Sequence, residues 1–256
     1  MPDCLFSDNI ANSREHLWPD WVHKKKDFGP LKSTRDSQDI IIPDPEITVR
    51  VVCKHCNNGW MSDLEVAAKP VIGCMFDDVS LNLDRNQQKL VAAWCMKTAI
   101  ITDATRSRTK SIRFYTEDEC ADMRRGLTIP PKTRIWIGRI ETSHLASSGT
   151  DYERLTADGT RISIDSVVTL IVGHFVTQVI TTHLLPEFAN QEIPDGEPKG
   201  GDWSNDLVQI WPIQKEWVTW PPRDSFTNGG RYGVGYLMDR WRIGKRVNQV
   251  LPAPSI

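Results

Sequence analysis

The pattern of apolar and polar positions divides the chain into three stretches. Residues 1–70 are polar and carry too little apolar periodicity to fold without a staple. From about 84 to 126 the chain reads as helix. Leu90, Val91, Trp94, Met96, Thr98 and Ile101 fall at helical spacings, and Glu117 to Arg125 opens with an acidic turn and stops at Gly126. Pro130-Pro131 then ends helix and opens sheet. Beyond it, short runs rich in Ile, Val, Trp and Thr (134–140, 161–164, 166–172, 175–182 and 207–213) alternate with turn material such as Ala157-Asp158-Gly159. Glu192 to Asn205 predicts a surface loop, and Gly229 to Arg246 a glycine-rich turn with a short basic helix. The expected class is α+β, with a small module at 1–70, a helical connecting segment at 71–130 and a β-rich domain at 131–256.

Composition narrows the setting. No apolar run approaches the ~20 residues needed to cross a bilayer. The longest, Ser166 to Ile180, is broken by Thr169, Gly173, His174 and Gln178, so no membrane partner is expected. The start carries Asp3, Ser7 and Asp8 and no basic-then-apolar signal, which predicts a cytoplasmic protein. In that compartment six cysteines read as reduced thiols or metal ligands rather than disulfides. A net charge of −2 argues against a protein that simply coats nucleic acid, while leaving local basic patches possible. Lys24-Lys25-Lys26 and Lys54 are the candidates for contact with phosphates. Gly-rich phosphate loops, Gly-x-Ser-x-Gly elbows and dinucleotide fingerprints are missing from the sequence, so nucleotide-driven and serine-hydrolase chemistry has no support.

The chemistry-bearing residues lie in the first quarter: Cys4, Arg14-Glu15-His16, Trp18-Pro19-Asp20-Trp21, and the run from Cys53 to Glu65. Cys53-x-x-Cys56 has zinc-knuckle spacing, since two thiolates two residues apart on a tight turn can face one tetrahedral ion. Cys4 is the natural third ligand. Cys74, Cys95 and Cys120 lack such spacing and are expected to be buried singly. Trp18, Trp21 and Trp60 are expected to pack around a small stapled core.

These phrases together resemble the HNH endonucleases that carry a structural zinc. Their pattern is a CxxC, an acidic residue or His followed by His, then a second CxxC leading into a helix. Cys4 to Ser7 stands where the first CxxC would be, Glu15-His16 where the catalytic pair would be, and Cys53 to Glu65 where the second knuckle and helix would be. More closely, the chain is similar to a bacterial and phage branch in which REHxWPxW and CxxCNNGWMSxLE recur, and the likeness extends into Trp94 to Thr98 and Pro130 to Gly138. The resemblance implies an N-terminal ββα-metal (His-Me finger) module and a metal-dependent endonuclease that hydrolyses nucleic acid, DNA foremost. It implies His16 as general base, with Glu15 and Asn57 offering hard oxygens to Mg²⁺ or another divalent cation. Asn58, Glu65 and Arg14 are second choices for that site, and a structural Zn²⁺ would sit on Cys4, Cys53 and Cys56.

Two positions depart from the pattern. Ser7 stands where a fourth thiolate is expected, leaving the zinc site completed by water, by His55 or His23, or lost. The asparagine that usually precedes the second CxxC falls on or near Thr48. Both departures support a rival reading: a zinc-stabilised nucleic-acid or protein binding module in which catalysis has been lost.

Overall fold

The computed structural model describes residues 2–25, 31–35, 38–42, 48–106, 113–156, 158–190 and 205–227. In chain order these form β1 (Ser13–His16), α1 (Asp20–Lys25), β2 (Leu31–Arg35), β3 (Gln38–Ile42) and β4 (Thr48–Val52). The single-turn helix α2 (Lys54–Cys56), a stretch over Asn57–Met61 that kinks at Gly59, whose backbone leaves helical geometry, and α3 (Ser62–Phe76) follow. Then come β5 (Leu81–Leu83), α4 (Arg85–Arg106) and α5 (Glu117–Gly126). The second half holds β6 (Thr133–Leu155), β7 (Arg161–Leu184), a 3-10 turn (Pro186–Phe188), β8 (Leu207–Trp211) and β9 (Val218–Trp220). Helices and antiparallel strand pairs make the fold α+β. Among the described residues no helix is long and apolar enough to cross a membrane.

Helix α4 organises the core. Every residue from Val91 to Asp103 is buried, the signature of a helix enclosed on all sides rather than lying on a surface. It packs on α3 and against β4, β6, β7 and β8. One contiguous cluster runs from Cys4 and Trp18 through Met61, Ile72, Trp94 and Phe175 to Trp220, so all three stretches of the chain contribute to it. Some of the polar groups that α4 buries are satisfied nearby: Thr98 and Thr102 donate to the carbonyls of Trp94 and Thr98 (2.9 and 2.8 Å), and Asp103 accepts the Phe114 N–H at 3.0 Å.

The β-rich half differs in one respect from the short runs expected of it. Residues 161–164, 166–172 and 175–182 form one strand, β7, which pairs with β6 from Thr133↔Thr181 to Leu155↔Arg161. The hairpin closes through a turn in which Gly159 N–H donates to the Thr156 carbonyl at 3.0 Å and Gly159 has φ +88°. Ala157, also expected in this turn, lies outside the described residues. Sequence punctuation at Gly173-His174 suggested a break, but the ladder resumes across it after a register shift between Arg139 and His144. Two boundaries also move. Pro70 would ordinarily end a helix, yet α3 carries it on its exposed side to Phe76. The connecting segment contains a strand, β5, which pairs with β9. The loop from Glu192 and the basic stretch from Gly229 lie outside the described residues, apart from Asn205.

Helix α5 shows how the two halves are joined. Thr116 caps it, accepting the Glu119 N–H at 3.2 Å while Glu119 accepts the Thr116 N–H at 2.9 Å. The other Glu119 oxygen meets His183 Nε2 of β7 at 2.8 Å, and the His183 ring stacks on Phe114 with centroids 4.2 Å apart. Burial works to raise the Glu119 carboxyl, but His183 and then Thr116 outweigh it and hold the group below its usual range.

Gly173 has φ +62°, and a Cβ there would collide with the carbonyl of Phe76 and stand 3.0 Å from its Cα. That obstacle is backbone and cannot rotate away. Gly173→Ala is therefore expected to cost about 3 kcal/mol or more and to lower Tm by about 6–12 °C, measured by thermal unfolding. A folded pKa depressed below the ordinary 4.5 gives stability that is complete above that value and is lost as pH falls through the folded pKa. The Tm gap between the wild type and Glu119→Gln should accordingly be full near neutral pH and close progressively below about pH 4.5.

Candidate metal centre

Residues 2–11 fold back on themselves and dock on β4. Cys4 N–H donates to the Asn9 carbonyl at 2.7 Å and Ala11 N–H to the Pro2 carbonyl at 2.8 Å, and Leu5 N–H reaches the Val51 carbonyl at 2.8 Å. This loop delivers Cys4 to the turn that follows β4. Cys4, Cys53 and Cys56 are all buried, and their sulfurs lie within 4.8 Å of one another. Backbone amides point at them: Cys53 N–H at Cys4 Sγ (3.2 Å) and Cys56 N–H at Cys53 Sγ (3.4 Å). Three converging thiols with amide donors are the donor set of a zinc or other thiophilic ion. Ser7, at the expected fourth position, places its hydroxyl 3.6 Å from Cys53 Sγ and 3.7 Å from Cys56 Sγ. His55, one of the alternatives for that position, is exposed.

The protons of the cluster are unevenly shared. Burial would raise the Cys53 thiol, but the Cys56 backbone N–H, the Ser7 hydroxyl and the two neighbouring thiols bring it down to about 6. At Cys56, burial and the sulfurs of Cys4 and Cys53 prevail over the Ser7 hydrogen bond and push the thiol up to about 11. Cys53 thus yields its proton to a bound cation more readily than Cys56 does.

The strand carrying Glu15 and His16 lies beside this centre. β1 pairs antiparallel with β4, with Ser13 opposite Val52 and His16 opposite Thr48. Thr48 therefore faces His16 across the ladder. Asn57, just past the cysteine turn, donates its Nδ2 to Ser13 Oγ at 2.9 Å and to the Arg14 carbonyl at 3.2 Å, tying the start of the helix to β1. His16 is half-buried, whereas Arg14, Asn58 and Lys54 are exposed. The side chains of Lys24 and Lys25, and all of Lys26, lie outside the described residues.

Glu15 has a partner that sequence reasoning missed. It is buried, and its Oε1 lies 3.6 Å from the ammonium of Lys97, which in turn sits 2.8 Å from Glu65 Oε1. Lys97 is only 1% exposed, so α4 sends a cation inward to two carboxylates, one from β1 and one from the first turn of α3. Burial raises the Glu15 carboxyl above its usual range and the Glu65 charge adds to this, against the pull of Lys97. The signal was present: Lys97 is the sole charged residue between Val91 and Thr102. The three tryptophans of the module serve packing. Trp18 is buried, Trp21 stacks on Phe76 and Trp60 meets Phe6 edge-on. Cys95 and Cys120 are buried as expected, but Cys74 is only half-buried, and its thiol donates to the Pro70 carbonyl of its own helix at 3.2 Å.

Removing Lys97 while keeping both carboxylates should cost about 3–5 kcal/mol, the penalty for stranding buried charge. Lys97→Met is expected to show this loss in denaturant unfolding, and adding Glu15→Gln to it should recover a large part, giving a coupling energy of about 1–3 kcal/mol in the double-mutant cycle. Compared with family models, curated proteins and solved structures, the chain matches none of them.

Proposed function

We propose that this chain is a metal-dependent endonuclease of the HNH type that hydrolyses phosphodiester bonds of nucleic acid, with DNA as the foremost target. The observation that carries the reading is the order and pairing of elements around Glu15-His16. β1 lies antiparallel to β4, β4 leads through the cysteine turn into a helix, and the first residue after that turn, Asn57, hydrogen bonds back to β1. A strand, a second strand and a helix therefore surround one acid–histidine pair, and three thiols suited to structural zinc hold the corner.

His16 takes the proton from the attacking water. An imidazole ring nitrogen can accept a proton, the His16 ring is half-buried, and Thr48 faces it from β4. Glu15 and Asn57 would hold the divalent cation, which when bound supplies charge stabilisation at the scissile phosphate. A carboxylate offers two oxygens, and Lys97 engages Oε1, drawn closer to Glu65 than to Glu15. Glu65 thus acts as a second anchor for the ammonium. Arg14 and Lys54, both exposed beside the site, supply charge for the phosphate backbone.

One observation favours the binding-module reading: Lys97 already neutralises the carboxylate that catalysis would assign to a cation. A single experiment separates the two. Supercoiled plasmid is incubated with the protein in Mg²⁺, Mn²⁺ or EDTA beside His16→Ala, with bound zinc quantified in every sample. Nicking that requires the divalent cation and falls by about 100-fold or more in His16→Ala is expected. Stoichiometric zinc without cleavage of DNA or RNA would establish the binding module, and neither zinc nor cleavage would end both readings.

A further inference from the structure

Ser7 stands close to where a fourth ligand belongs. A tetrahedral zinc with sulfurs at about 2.3 Å and an oxygen at about 2.0 Å places that oxygen ~3.5 Å from each sulfur. The Ser7 hydroxyl is 3.6 Å from Cys53 Sγ and 3.7 Å from Cys56 Sγ, and it accepts the Asn9 N–H at 3.5 Å. These two distances suit a ligand, but the chemistry of a hydroxyl is not that of the three thiols. A neutral hydroxyl donates far less charge to a soft or borderline cation than a thiolate does. Of the two histidines considered for that place, His55 is exposed and the side chain of His23 lies outside the described residues.

An open groove of about 460 Å³ runs past Cys53, with Asn9, Asn12, Lys54 and His55 among its walls. Of the buried cysteines Cys53 lines this groove, and the half-buried Ser7 adjoins Asp8 of its wall. Asn9 Nδ2 reaches Cys53 Sγ at 3.8 Å from the same side, and Lys54 N–H is held at 2.9 Å by Asn12 Oδ1. A divalent cation on three thiolates carries one net negative charge, and a fourth thiolate makes it two. Lys54 on the groove wall offsets that second charge, while Asp8 on the same wall works against it.

We propose that Cys4, Cys53 and Cys56 hold a thiophilic divalent cation at three corners, and that the fourth, occupied by the Ser7 hydroxyl, is a displaceable position that takes a low-molecular-weight thiol from the groove. The incoming thiol gives its proton to solvent, its sulfur bonds to the cation, and the serine oxygen leaves as a neutral hydroxyl. No oxidant or reductant takes part. The centre is then a three-thiolate site open to exchange, unlike a closed four-thiolate staple. This rests on the reading of the cysteines as a metal site and not on nuclease activity, so the two fail separately.

The test uses the full chain loaded with Co²⁺ without oxygen, whose visible spectrum reports the number of thiolates bound. Wild type should hold one cobalt per chain. Adding 2-mercaptoethanol should shift its ligand-field bands and raise its sulfur-to-cobalt absorption by about one third, as three thiolates become four. Ser7→Cys should show the four-thiolate spectrum from the outset, ignore the added thiol and bind the metal about 10- to 100-fold more tightly. Ser7→Ala should keep its cobalt and respond at lower thiol concentration. The proposal is overturned if bound cobalt in the wild type ignores the thiol, if the thiol strips it, if Ser7→Ala fails to hold it, or if no cobalt binds at all. Plasmid cleavage by the zinc-loaded protein is untouched by each of the first two results.

Discussion

An ammonium group in the middle of an enclosed helix imposes a condition on everything around it. Lys97 cannot reach water from its place on α4, so its charge has to be met inside the protein. Glu65 from α3 and Glu15 from β1 meet it, which means that three elements distant in sequence must arrive at one point with their side chains aligned. An apolar contact tolerates sliding. A buried charge shared by two carboxylates does not, because a small displacement leaves one of them desolvated and unpaired. The placement of the small N-terminal strand against the helical core is specified by this constraint, and with it the orientation of the neighbouring His16.

The thiol cluster performs the complementary task on the outer side of the same strand pair. Residues 2–11 have little regular structure and few backbone bonds of their own, yet Cys4, Leu5 and Phe6 are buried. The loop is pinned to β4 by one backbone bond and by convergence on the cysteine turn. The strand pair is therefore flanked on two sides, by a buried charge on the helix side and by the buried thiol cluster on the loop side. Such an arrangement suits a site whose side chains must keep their positions when a ligand arrives.

Much of this was legible before any coordinates. The period of apolar residues marked α4, Cys53-x-x-Cys56 with Cys4 marked the cluster, and the Glu15-His16 pair marked the strand beside it. Other features were hidden for physical reasons. The continuity of β7 was masked by Gly173, which reads as a turn residue but is there because the strand passes against the backbone of Phe76. The length of α3 was masked by Pro70, whose missing donor is harmless on an exposed face. The pairing of Lys97 with Glu15 spans 82 positions of sequence, and no local pattern can announce a contact of that range. What the sequence did contain was the anomaly of one charge in an apolar helix, Lys97.

The pairing of β5 with β9 carries a consequence for how the chain is made. Leu81, Asn82 and Leu83 lie opposite Trp220, Thr219 and Val218, and Gln88 at the start of α4 donates to the carbonyls of Lys215 and Glu216. During synthesis the first of these partners leaves the ribosome long before the second. Until residue 220 emerges, the edge of β5 and the apolar flank of α4 have nothing to cover them, and the N-terminal site is built on that helix. The chain thus completes its core late, and while it waits the nascent protein presents an unpaired strand edge of the sort that chaperones bind.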